Sequence, residues 1–155
     1  MPRDGVTTDR RAFIVGLSTM AALAGWANPA AAQAGPGDIA ALLKTLVGDA
    51  VPMEGKIVLD LPEIAENGNT VPYAIRVDSP MSDVQYVKAV HVLAPANPLP
   101  QVASFFFTPQ SGKASVASRM RLAQTQEVLA IAAMSDGTFY MLKRPVKVTV
   151  GGCGG

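Results

Sequence analysis

Between Lys56 and Val150 apolar residues recur at every second position, and turn residues interrupt them at intervals of about 10–15 residues. Successive side chains of a strand point to opposite faces, so a period of two commits this part of the chain to sheets. Ile57, Leu59 and Leu61 alternate with Lys56, Val58 and Asp60 until Pro62 stops the run. Glu66-Asn67-Gly68-Asn69 is a turn ahead of Tyr73, Ile75 and Val77, and Ser79-Pro80 turns the chain again. Val84 to Leu93 is more continuously apolar, as expected of a strand covered on both faces. Pro95 to Pro100 forms a rigid connection into a strand carrying Phe105, Phe106 and Phe107. Val116, Ser118, Met120 and Leu122 alternate with Ser115, Ala117, Arg119 and Arg121. Val128 to Met134, a hairpin signal at Ser135-Asp136-Gly137-Thr138, and the runs Phe139–Leu142 and Val146–Val150 complete the count. About seven or eight strands of this kind predict a mostly β fold, an immunoglobulin-like antiparallel β-sandwich over residues 35–150.

One helix precedes the strands. Asp38 is a good N-cap, and Ile39, Leu42, Leu43 and Leu46 form one apolar face over about residues 38–47, ended by Gly48. That face can pack on the domain's own sheet or dock a partner. Further upstream, Arg10-Arg11 with Phe13, an apolar run from Val15 to Trp26 and the small residues Ala30 to Ala34 read as a cleaved export signal over residues 1–34. The run is too short to span a membrane. The paired arginines with Phe13 favour the twin-arginine route to the periplasm over a general secretory signal. Of 13 basic and 12 acidic side chains, cleavage near Ala32 or Ala34 removes Arg3, Arg10, Arg11, Asp4 and Asp9 and leaves a neutral chain. Neutrality without a basic stripe argues against nucleic acid and anionic membrane surfaces as partners.

The chain's single cysteine, Cys153, lies between Gly151-Gly152 and Gly154-Gly155. Glycine has no side chain to bury and costs the most entropy to order, so residues 151–155 read as a flexible arm that does not pack. Export with one cysteine excludes an internal disulfide and leaves a free reactive thiol or an intermolecular bond. A solvated thiol titrates near about 8.5, so only a few per cent is thiolate near neutrality and a partner's pocket must activate it. The three residues from Val150 to Cys153 reach roughly 10 Å.

The remaining candidates are weaker. His91, the single histidine, lies between Val90 and Val92 and reads as a hydrogen-bonded histidine in or near the core, not as a catalytic base or a metal ligand. Asp60, Glu63 and Glu66 read as solvated carboxylates near a strand end and a turn. Ser104, Ser111, Ser115 and Ser118 lack a nucleophile-elbow context. Arg119 and Arg121 fit a solvent-facing edge better than an anion site, and Phe105 to Phe107 fit a core or an interface patch. No metal, cofactor or self-contained active site is expected.

The tail Val148-Thr149-Val150-Gly151-Gly152-Cys153-Gly154-Gly155 resembles the end of the sulfur-oxidation carrier family SoxY. The segments from Asp60 to Pro72, Ser111 to Val116 and Leu122 to Gln126 resemble that family as well, as does the twin-arginine leader. The resemblance implies a non-catalytic periplasmic carrier in thiosulfate oxidation, paired with a SoxZ-like β-sandwich subunit. It implies that Cys153 holds the sulfur while partner enzymes act on it: a c-type cytochrome, SoxAX, a hydrolase, SoxB, and a sulfane dehydrogenase, SoxCD. Two other readings stand beside it. One is a ubiquitin-like carrier using the carboxylate of Gly154-Gly155 as a thiocarboxylate, which the export signal and β pattern oppose. The other is a structural exported module whose tail cysteine forms an intermolecular disulfide.

Overall fold

A computed structural model of the protein describes residues 39–152. The expected export signal, the N-cap Asp38 and the tail residues Cys153, Gly154 and Gly155 lie outside the described residues.

The order of elements is α1 (Ile39–Val47), β1 (Ile57–Asp60), β2 (Ile64–Asn67), β3 (Val71–Val77), β4 (Val87–Leu93), β5 (Gln101–Phe106), β6 (Ala114–Met120), β7 (Gln126–Met134) and β8 (Phe139–Val150). Three strands form one sheet in the order β1-β3-β6, and five form a second in the order β2-β8-β7-β4-β5. Between the sheets lies the core, in which Val71, Ile75, Val90, Val92, Leu122, Val128 and Val146 are fully buried. A mostly β sandwich with one helix is therefore the fold, as the period of two requires.

The five-stranded sheet is covered on its other face too. Val47, Ile39, Leu42, Leu43 and Leu46 of α1 pack on Leu93, Leu129, Ile131, Phe139 and Met141. This decides between the two uses of the helix face: it closes on the domain's own sheet. Along β7, Val128, Ala130 and Ala132 point into the sandwich while Leu129 and Ile131 point to the helix. Burial on both faces is why β7 and β4 read as nearly unbroken apolar runs. At the end of α1 the Gly48 amide donates to Lys44 O at 2.8 Å, with Gly48 in the left-handed region at φ 64°.

Three details differ from the sequence pattern. First, β4 begins at Val87, because Ser82 and Gln85 close a turn through mutual hydrogen bonds and leave Val84 exposed. Second, β8 is one strand of 12 residues that runs through Pro145. The Lys147 amide points towards the β2 side, where it bonds Glu63 O at 2.9 Å. Pro145, two residues earlier, has its nitrogen on that same side but before β2 begins, so the missing N–H costs no ladder bond. Third, β2 occupies part of what reads as a turn, and it pairs with β8 in parallel, Ile64 opposite Lys147 and Asn67 opposite Val150. Every other strand pair is antiparallel.

Candidate functional site: the root of the cysteine arm

The parallel pairing of β2 with β8 matters because it brings the turn after β2 to the place where β8 runs out. Three backbone hydrogen bonds follow one another there. Gly68 N–H donates to Val150 O at 2.7 Å, Leu122 N–H to Gly68 O at 2.8 Å, and Gly152 N–H to Leu122 O at 2.9 Å. Three distant segments of sequence, 67–69, 121–123 and 150–152, thus meet at the start of the arm.

Glycine is needed here for space. A Cβ on Gly68 would collide with Leu122 O and press on Gly152 N, and one on Gly152 would collide with the backbone of Gly68 and Asn69. A Cβ on Gly151 would collide with Ala123 O. Gly48, Gly55, Gly112 and Gly137 are the opposite case, with positive φ and open space around them. Gly68 is buried in this contact. Gly151, though exposed, and the half-buried Gly152 thus lie in a close approach of backbones that leaves no room for a side chain at either position.

The loop that receives Gly152 is itself held. Asn97 Nδ2 donates to Arg121 O at 2.7 Å, and Asn97 Oδ1 accepts from Ala123 N at 2.9 Å and Gln126 Nε2 at 3.0 Å. Gln126 Oε1 in turn accepts from Ala96 N at 2.8 Å. On the other side Thr125 Oγ1 accepts from Val148 N at 2.9 Å, tying the loop to β8. Gly68, Asn97 and Gln126 are not candidate site residues on sequence grounds. For Gly68 a signal is visible, since an Asn-Gly-Asn turn between strands marks a special backbone.

The other candidate residues are scattered. His91 is buried on the face of the five-stranded sheet that carries α1, with Nδ1 2.7 Å from Ser104 Oγ. Gln101 Nε2 donates to the same hydroxyl at 2.9 Å, and the Phe106 ring stands nearly perpendicular to the imidazole with the ring centroids 6.3 Å apart. Burial pushes the His91 pKa below its ordinary value. This is a satisfied, neutral histidine in a packed setting, as its apolar flanks suggested. Asp60, Glu63 and Glu66 are exposed, as are Arg119, Arg121, Ser111, Ser115 and Ser118. Arg119 lies opposite Pro72 on β6, and Arg121 lies beyond that strand next to the arm root. Phe105 and Phe107 pack against the core, while Phe106 is 78% exposed on the edge strand β5. Among the described residues no group of three His, Cys, Asp or Glu side chains is placed to hold a metal, and no helix is long and apolar enough to cross a membrane.

Comparison with solved structures finds the sulfur carrier protein SoxY from Chlorobium limicola f thiosulfatophilum at 32% identity and a TM-score of 0.62, covering 73% of this chain and 97% of that one. Superoxide reductases share the fold alone. The neelaredoxin of Ignicoccus hospitalis matches at 13% identity and a TM-score of 0.54, over 61% of this chain and 80% of that one. The Nanoarchaeum equitans enzyme matches at 10% identity and 0.52, over 62% and 99%. No curated protein matches the chain. The family model described as sulfur oxidation protein SoxY matches residues 43–153, from the first helix to the cysteine itself. On that match, which spans most of its length, the chain belongs to the SoxY family.

Proposed function

We propose that this protein is a non-catalytic carrier of covalently bound sulfur intermediates in the oxidation of thiosulfate to sulfate, with Cys153 as the attachment point. One observation carries the reading: the chain's single cysteine stands between glycine pairs at the very position where the family match ends. The 32%-identical relative is named a sulfur carrier protein, which supports the same role.

The chemistry runs in four steps. The thiol and thiosulfate couple by forming an S–S bond; one proton is released and two electrons pass to a c-type cytochrome, SoxAX. Water then cleaves the terminal sulfonate as sulfate, a step for the hydrolase SoxB, and leaves a persulfide. The sulfane dehydrogenase SoxCD oxidises the outer sulfur to a new sulfonate, with oxygen from water and electrons to the enzyme. A second hydrolysis releases sulfate and restores the thiol. The carrier's own contribution is to keep each intermediate bound between enzymes, so that none diffuses away.

The setting proposed for this work is the periplasm, reached by the twin-arginine route, with a SoxZ-like β-sandwich subunit as permanent partner. The edge strand β5, Gln101–Phe106, suits such pairing. It has no charged residue or proline to protect its edge, and it presents Phe106 to solvent. A Phe106→Lys substitution is expected to weaken co-purification with that subunit while leaving the melting temperature of the isolated chain unchanged.

The direct test is turnover. With thiosulfate and the partner enzymes, Cys153→Ser is expected to abolish sulfate release. Release at the wild-type rate from Cys153→Ser would refute the carrier reading.

A further inference from the structure

We infer that Gly68 is the socket of the cysteine arm: a positioning residue that holds Gly152, one residue before Cys153, against the body. The inference deepens the carrier reading and rests on it for its purpose, but its evidence is separate. Gly68 O accepts from Leu122 N, Leu122 O accepts from Gly152 N, and neither Gly68 nor Gly152 has room for a methyl group. The receiving carbonyl belongs to a loop fixed by Asn97, Gln126 and Thr125, which gives the socket a rigid floor.

The consequence is a shorter free arm. If the arm left the sheet at Val150, three residues of roughly 3.3–3.6 Å each would separate the last held backbone from the cysteine. With Gly152 held, one residue does. A partner enzyme that takes Cys153 into its active site must then come to the rim of the socket, where Asn69, Arg121 and Gln124 are exposed. Gly68 and this rim would form part of every docking surface. Glycine at 151 and 152 would serve close packing, and glycine at 154 and 155 entry into a narrow channel.

Hydrogen exchange at the Gly152 amide, measured on the full-length mature chain, tests the socket without any sulfur chemistry. The wild-type amide is expected to exchange on the order of tenfold or more slowly than in a free peptide of the same tail sequence. Gly68→Ala and Gly152→Ala attack the same contact from its two sides, and each is expected to bring that amide to the free-peptide rate. Gly152→Ala lies past the last strand and keeps the test open if Gly68→Ala fails to fold. The functional counterpart is a split between reagents. In both variants Cys153 is expected to react with a small disulfide reagent within about twofold of wild type, while enzyme-dependent loading at low carrier concentration falls about tenfold. Exchange at the free-peptide rate in the wild type, or protection kept in both variants, would overturn the socket. Protection with no sulfur on Cys153 would instead sink the carrier reading and leave the socket standing.

Discussion

At the scale of single residues, backbone approach and burial decide more than side-chain chemistry does. Gly68 and Gly152 matter for the atoms they lack, and a sequence shows which residue is a glycine but not whether it serves a dihedral or a contact. The distinction needed the parallel pairing of β2 with β8, a long-range fact. His91 was more legible, because valines on both sides of a histidine in a strand imply a covered, neutral ring. Its depressed pKa carries a pH signature. The unfolded chain takes up a proton near the ordinary value of 6.5, while the folded chain resists until lower pH. The stabilisation is thus complete above about pH 6.5 and is lost as pH falls below it. Urea midpoints from pH 7.5 down to 5 are expected to decline less steeply for His91→Gln than for wild type. Equal slopes would show that His91 is not the group responsible.

At the scale of elements, strand periodicity was easy to read and strand pairing was not. The helix, the alternating strands and the Asp136-Gly137 hairpin could all be traced in advance, because each depends on local spacing. β2 was hidden, since four residues with one buried side chain give no usable alternation. The unbroken β8 was hidden by Pro145, whose tolerance depends on where the neighbouring strand starts. Pro145→Val is accordingly expected to change stability little, by about 0.5 kcal/mol or less, in chemical denaturation. The packing of α1 on the sheet makes the opposite prediction for Ile131, which is fully buried beneath the helix. Ile131→Ala removes most of that side chain and is expected to cost about 2–5 kcal/mol, read as a lowered denaturation midpoint.

At the scale of the whole molecule, the proposed role makes the sandwich a stand for a reactive group that partner enzymes activate. Its core is apolar and its hydrogen-bonded histidine is quiet. Its network of side-chain hydrogen bonds around Asn97 and Gln126 serves to fix a loop under the arm. The family and the fold class could be read from the sequence because motifs and strand periodicity sit in contiguous residues. The arm root could not, because it is assembled from segments about 30 to 80 positions apart. Whether sulfur is carried on Cys153 can be read by peptide-resolved mass spectrometry of the protein after incubation with thiosulfate and the cytochrome enzyme SoxAX. A thiosulfonate is expected on the peptide that follows Lys147, at Cys153 and nowhere else. Sulfur absent from that peptide, or found on a carboxylate, would refute the carrier role.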